Sequence, residues 1–226
     1  MGENGSIQKV RDRLLCPSMM CADFEKLGQE VRELDAGGAD IFHCDIMDGS
    51  FVPNMALGLP DVCCVRKNTR KLVDAHLMIE NPGSKLEWFI KAGCDILYMH
   101  PESERFAARA LTQTRQAGRK AGLAISPGTS LETVSELLEI SDYVLVMAVS
   151  PGFAGQRFMD FVMAKIRRLA SCDHSFKILV DGACGPEKIK ELSALGVDGF
   201  VLGTSALFGK SKSYSDLLLD LRISQT

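Results

Sequence analysis

Gly38–Met47, reading GADIFHCDIM, carries the pattern that decides the fold. A glycine, one further residue and an aspartate lead into an apolar strand. The arrangement returns as Gly93-Cys94-Asp95 before ILYMH and as Gly196-Val197-Asp198 before GFVLGT. Glycine at such a place ends a helix, so three copies of one turn indicate repeated helix-to-strand units. Within the first strand, His43, Asp45 and Met47 lie two residues apart and share a face, while Cys44 and Ile46 point the other way. Asp48, Gly49, Pro53 and Asn54 then end it. An imidazole and a carboxylate side by side at a strand end are half of a metal site.

Outward from this stretch, Leu14–Met20 (LLCPSMM) is a short apolar run whose proline belongs near a strand end, with Ser18 in the loop beyond. Asp23 N-caps a helix in which Phe24, Leu27, Val31 and Leu34 recur at helical spacing, with Lys26 where a capping box wants Glu. Further strands are predicted at Lys71–Met78, Ile96–His100, Ala121–Ile125, Tyr143–Val149, Lys177–Asp181 and Phe200–Gly203. Between and after them, helices are predicted over Asp61–Asn68, Pro82–Ala92, Ser103–Ala117, Leu131–Leu138, Phe158–Leu169, Pro186–Leu195 and Tyr214–Leu221. Apolar strands alternating with helices require a parallel sheet. Eight of them in 226 residues predict a single-domain (β/α)8 TIM barrel over 1–226, with 1–12 a frayed start. An open doubly wound sheet is the alternative, but GxGxxG after the first strand is missing.

A formal net charge of -3 without a basic block argues against nucleic acid as a partner. No apolar run approaches membrane-spanning length, and the N-terminus lacks the apolar centre of a signal peptide, so the expected location is cytoplasmic and no membrane partner is expected. Met1-Gly2 with Ser6 matches the bare myristoylation pattern, without a polybasic second anchor. Eight cysteines without a CxxC pair read as reduced thiols, mostly small core residues.

A barrel gathers the C-terminal ends of its strands at one mouth. That places His43, Asp45, His76, His100, Ser126, Ser150 and Asp181 together. Two imidazoles and two carboxylates, His43, Asp45, His76 and Asp181, suit one divalent ion; the bland alternative is hydrogen-bonded core histidines and turn-forming aspartates. His100, followed by Pro101 and Glu102, is expected to line the pocket without binding anything, and His174 to lie on the surface. Gly152, Gly155, Gly182, Gly185 and Gly203 with Thr204 can offer backbone N–H groups to a phosphate. Met47, Met78 and Met147 are either core fillers or an apolar pocket wall.

HCDIMDGSFVPN at 43–54, DAHLMIENP at 74–82, VMAVSPGFAGQRF at 146–158, VDGACG at 180–185 and VLGTSALF at 201–208 resemble the ribulose-phosphate 3-epimerase family. The likeness runs from CPSMMCADF to GTSALF. It implies a barrel of the ribulose-phosphate-binding type, one divalent metal (Zn2+ first, or Mn2+, Fe2+ or Co2+), and inversion of C3 of a phosphorylated ketose through a cis-enediolate. The family's metal ligands fall on His43, Asp45, His76 and Asp181, its acid/base pair on Asp45 and Asp181, and its pocket methionines on Met47, Met78 and Met147. Substrate contacts are expected at Ser18, His76, Gly152, Ala154, Gly155, Gly182, Ala183, Gly203 and Thr204. Typical members read PGFGGQ, VDGG and GSAIF where this chain has PGFAGQ, VDGAC and GTSALF; with His100-Pro101-Glu102, these departures resemble the allulose-6-phosphate 3-epimerase branch. The expected reaction is therefore D-allulose 6-phosphate to D-fructose 6-phosphate, with D-ribulose 5-phosphate to D-xylulose 5-phosphate as the alternative. The resemblance also implies a homo-oligomer. A lysine-dependent aldolase or synthase on the same barrel is disfavoured because Lys71 and Lys177 open their strands. A catalytically silent sugar-phosphate-binding barrel is disfavoured by the complete polar set.

Overall fold

The repeated turns organise the chain in space as they do in sequence. The structure, a computed structural model, describes residues 13–223; the expectations for 1–12, a frayed start and a lipidation pattern, lie outside the described residues. Eight parallel strands are formed: β1 (Leu14–Pro17), β2 (Ile41–Met47), β3 (Leu72–Met78), β4 (Ile96–Met99), β5 (Lys120–Ile125), β6 (Tyr143–Met147), β7 (Lys177–Asp181) and β8 (Gly199–Leu202). They alternate with α1 (Leu27–Ala36), α2 (Leu59–Asn68), α3 (Leu86–Ala92), α4 (Ala107–Gln116), α5 (Ser135–Leu138), α6 (Val162–Ser171), α7 (Pro186–Ala194) and α8 (Tyr214–Ile223). The ladder runs β1-β8-β7-β6-β5-β4-β3-β2. It closes where Asp40 N donates to Leu15 O at 3.0 Å and Ser18 bridges His43 in parallel.

Each turn glycine adopts a left-handed φ, +96° at Gly38, +93° at Gly93 and +98° at Gly196, a region open to glycine at no steric cost. The aspartate that follows accepts a backbone N–H at the start of the preceding strand. Asp40 takes Leu15 N at 2.9 Å, Asp95 takes Val73 N at 3.0 Å and Asp198 takes Ile178 N at 2.9 Å. Asp142 takes Ala121 N at 2.9 Å in the same way, although Ile140 and not glycine stands two residues before it. The barrel is thus clasped at its base in four pairs of strands.

Two apolar layers separate at the sheet. Cys16, Ile41, Ile96, Tyr98, Tyr143, Leu145, Leu179 and Val201 pack inside the barrel. Phe42 and Cys44, the alternate residues of β2, join Val31 and Leu34 of α1 between sheet and helices. Each fully buried side chain of this size contributes roughly 1.5–3 kcal/mol. Inside, the fully buried ring of Tyr98 leans on Gly122, where an added Cβ would stand 2.3 Å from a ring carbon. Gly122→Ala is expected to cost about 3 kcal/mol through overpacking; a urea midpoint within error of the parent's would refute it.

Several element ends differ from the sequence expectation for local reasons. Residues 103–106 do not join α4, because Ser103 O accepts from Asn81 N at 3.0 Å and the Glu104 carboxylate accepts from Gly83 N and Phe106 N. Phe158–Phe161 likewise precede α6, with Met159 N bonded back to Ala148 O at 2.8 Å. Leu131–Leu138 contains only a 3-10 turn, Glu132–Val134, and the four-residue α5. Asp23 does cap, accepting Glu25 N at 3.0 Å, but what it caps is a 3-10 turn at Phe24–Lys26 that leads into α1. β6 ends at Met147, so Ala148-Val149 lie beyond it, while Ser18 follows β1 as expected.

Candidate active site

The inward face of β2 presents His43, Asp45 and Met47, and the parallel register sets Asp45 beside His76 and Met47 beside Met78 of β3. Asp181 ends β7 beside Met147. One donor atom from each of His43, Asp45, His76 and Asp181 falls within 4.8 Å of all the others. His43 Nε2 and His76 Nδ1 each stand 3.3 Å from Asp45 Oδ1, and 3.9 and 3.7 Å from Asp181 Oδ2. Four ligands about 2.1 Å from a tetrahedral ion would be roughly 3.4 Å apart, so the spacing fits a single divalent ion. The buried His43 Nε2 faces the carboxylates of both Asp45 and Asp181. A ring nitrogen turned toward two carboxylates, with the other nitrogen held from behind, is the donor arrangement such an ion needs.

Both histidines are fully buried, and each has a partner behind it. His43 Nδ1 lies 2.8 Å from Asp74 Oδ1, and Asp74 is itself fully buried. His76 Nε2 lies 2.8 Å from His100 Nε2, whose own Nδ1 is 3.2 Å from Ser126 Oγ and 3.4 Å from Glu102 Oε2. Ser18 Oγ donates to Asp45 Oδ2 at 2.7 Å. His100 is therefore a fully buried part of the cluster's support. His174 lies apart, partly buried, its ring stacked on Phe176.

Electrostatics separates the two carboxylates. Burial opposes the charge on Asp45, but His43 and the hydrogen bonds from both histidines outweigh it and hold Asp45 well below the usual carboxylate range. Burial, reinforced by the Asp45 charge, pushes Asp181 up to about 7. Burial works against protonation of His43, yet the Asp74 and Asp45 charges overcome it and raise His43 well above the ordinary imidazole range. Burial lowers His76 and takes His100 down to about 4. Two carboxyls facing the same small space, one shifted down and the other up, are the pattern of a base paired with an acid.

Asp45 and Asp181 open on a cleft also lined by Ser18, Met47, Met78, Met147, Gly152, Ala154, Gly155, Gly182, Ala183, Gly203 and Thr204, while His43 and His76 are fully buried and do not line it. Met47 and Met78 pack with Val52, while Met147 belongs to the barrel interior. Asn54 Nδ2 donates to Gly152 O at 2.7 Å, tying the loop after β2 to the loop after β6. Lysine and arginine are absent among the described residues lining the cleft, and Lys177 opens β7 at the opposite end. Cys21, Val149, Gln156 and Ser205 also line it, without any spacing that would mark them in the sequence. Asp74 did have a signal, since it stands two residues before His76 on the same strand face.

The family model described as the ribulose-phosphate 3 epimerase family matches residues 14–208. The chain is 40% identical over 201 residues to a ribulose-phosphate 3-epimerase of Rhodobacter capsulatus, covering 88% of each. It is 40% identical over 202 residues to the cytoplasmic isoform of ribulose-phosphate 3-epimerase from Oryza sativa subsp. japonica, again 88% of each. Among solved structures, 3-hexulose-6-phosphate synthase from Salmonella typhimurium superimposes with a TM-score of 0.68 at 14% identity, over 94% of this chain and 98% of that one; this likeness speaks for the barrel alone. With matching motifs at five strand ends, a cleft at the barrel mouth and this degree of identity over most of its length, the chain belongs to the ribulose-phosphate 3-epimerase family.

Proposed function

We propose that this chain inverts C3 of a phosphorylated ketose by a two-base mechanism, interconverting D-ribulose 5-phosphate and D-xylulose 5-phosphate. The observation that carries the reading is the convergence of two carboxyls, Asp45 and Asp181, with His43 and His76, one donor atom of each lying within 4.8 Å of the others. The C3 proton is α to a carbonyl. Ionised Asp45 removes it from one face, and protonated Asp181 delivers another from the opposite face, which inverts the centre. Ser18 holds Asp45 in place through its hydroxyl. Met47, Met78 and Met147 keep water from the enediolate formed between the two transfers.

His43, Asp45, His76 and Asp181 would hold the ion, assigned as Zn2+, with Mn2+, Fe2+ and Co2+ compatible with the same ligands. When bound it polarises the ketone and stabilises the negative charge that develops at the reacting oxygens. Without a lysine or arginine among the described residues of the cleft wall, the phosphate falls to backbone N–H groups of the loops holding Gly152, Ala154, Gly155, Gly182, Ala183, Gly203 and Thr204. We expect a homo-oligomer from the family resemblance. The free cysteines are consistent with a reducing compartment, which supports the cytoplasm as the place of reaction; no helix among the described residues is long and apolar enough to cross a membrane.

The five-carbon substrate replaces the six-carbon one favoured by the loop motifs. The curated relatives named above are ribulose-phosphate 3-epimerases, and Ala183 undercuts the loop argument. Its φ is +52°, in the left-handed region, so this loop keeps the backbone a glycine would favour and the alanine does not mark a differently built loop. Initial rates with the two ketose phosphates side by side test this. D-Ribulose 5-phosphate is expected to have the higher kcat/KM by about tenfold or more, the scale of one misfitted carbon. A preference for D-allulose 6-phosphate would reverse the substrate assignment, and absence of deuterium at C3 after incubation in D2O with either sugar would end the epimerase reading.

A further inference from the structure

Three carbonyl oxygens of the loop after β6 are taken up by side-chain amides. Asn54 Nδ2 donates to Gly152 O at 2.7 Å, and Gln156 Nε2 donates to Ser150 O at 2.6 Å and to Phe153 O at 2.9 Å. The backbone N–H groups of Phe153, Ala154 and Gly155 meet no acceptor among the described residues. Successive N–H groups left open while the carbonyls are drawn off suit an anion.

The Gly152–Phe153 peptide has its direction fixed from outside the loop. No peptide bond among the described residues is cis, and in a planar trans peptide the carbonyl and the N–H point opposite ways. Gly152 and Phe153 line the cleft, whereas Asn54 does not. Gly152 O is thus drawn behind the loop, and the Phe153 N–H faces the cleft. Asn54 is itself held, since its N donates to Val52 O at 2.8 Å and its O accepts from Gly49 N at 3.0 Å. Its Oδ1 accepts from Met55 N at 2.9 Å, which leaves Nδ2 for Gly152. Asp48 fastens the same loop by accepting from Ser50 N at 2.9 Å and from Glu80 N, beyond β3, at 2.8 Å. Gly152 is pressed onto this support: its φ is +117°, and an added Cβ would stand 3.2 Å from Val52 Cβ.

We propose that Asn54 is a positioning residue for the phosphate: by holding the Gly152 carbonyl behind the loop, it turns the Phe153 N–H into the cleft as a donor to the phosphate of the ketose. The proposal rests on the ketose-phosphate reading above. It gives the loop after β2 a task at each end, chemistry from Asp45 at its root and orientation of the phosphate donor from Asn54 near its tip.

Amide spectra of the full-length chain titrated with inorganic phosphate test it. The Phe153 N–H resonance should move downfield in the parent and lose most of that shift in Asn54→Ala. The inhibition constant of inorganic phosphate should rise about tenfold in Asn54→Ala, the scale of one hydrogen bond to a charged group. By about the same factor, kcat/KM should fall further for D-ribulose 5-phosphate than for unphosphorylated D-ribulose, because only the phosphorylated ketose uses this N–H. Should Asn54→Ala not fold, Asn54→Asp, which keeps the acceptor for Met55 N–H and loses the donor, carries the amide measurement at saturating phosphate. Equal losses with the two sugars would make Asn54 a merely structural residue and overturn the proposal. So would a Phe153 amide that ignores phosphate in the parent while those of Gly182 and Gly203 respond. Amides of all three loops unmoved by phosphate would instead overturn the phosphate placement on which the proposal stands.

Discussion

Asp45→Asn and Asp181→Asn should each lower kcat/KM by about 10³-fold or more, since a positioned proton-transfer group alone contributes 10²–10⁴-fold and each residue is also a proposed ligand. The two variants should fail differently. With one carboxyl left, the ketose whose C3 hydrogen faces that group can still lose it to solvent, but nothing returns a proton from the other side. Incubation in D2O should therefore deuterate one epimer without converting it, and the epimer so labelled should switch between the two variants. Measuring metal content beside the rates separates a lost proton donor from a lost ion, because an asparagine oxygen can still coordinate. Either variant turning over at a near-parental rate would sink the two-base mechanism.

Asp74→Ala should be the most damaging substitution to folding among the polar residues around the site. Asp74 is fully buried, and its partner His43 is raised well above the ordinary imidazole range despite being buried, by the Asp74 and Asp45 charges. Removing one member of a buried pair leaves the other uncompensated, at a cost of about 3–5 kcal/mol. In a chain of this size that corresponds to a fall of roughly 10 °C in Tm. Asp74→Asn, which keeps the shape and discards the charge, should lose less stability while binding Zn2+ about 10–100-fold more weakly. Thermal melts and chelator competition on the two variants check this; a Tm within 2–3 °C of the parent for Asp74→Ala, taking roughly 2–4 °C per kcal/mol, would show that the contact stores little energy.

Most of the architecture was legible because turn chemistry and strand period are local. A Gly-x-Asp turn announces itself in three residues, and alternation told which face of β2 looks inward. The same alternation applies to Asp74-Ala75-His76-Leu77-Met78, which mirrors His43-Cys44-Asp45-Ile46-Met47, but Asp74 stands deep in the strand, below the rim where ligands gather. Pro101 makes His100 look like a loop residue, but Ile96, Tyr98 and His100 continue one inward series past the last ladder residue, Met99. Helix starts at 107 and 162 are not visible in the local pattern, because the preceding backbone bonds to the distant amide of Asn81 and carbonyl of Ala148. The dihedral of Ala183 was out of reach in principle, since nothing in the letters VDGAC says that an alanine has been put where the chain turns left-handed.

The four basal aspartates give the barrel a common zero from which heights are measured. Five residues on from Asp40, Asp95, Asp142 and Asp198 stand Asp45, His100, Met147 and Gly203; three on from the tied amides of Leu15, Val73 and Ile178 stand Ser18, His76 and Asp181. At about 3.3 Å per residue, equal counts bring equal elevation, so groups from seven strands come level at one rim although no two are adjacent in the chain. A one-residue deletion between a clasp and its rim residue would drop that side chain by a full step and turn it toward the helices, whereas the loops above the rim can change length without moving the chemistry.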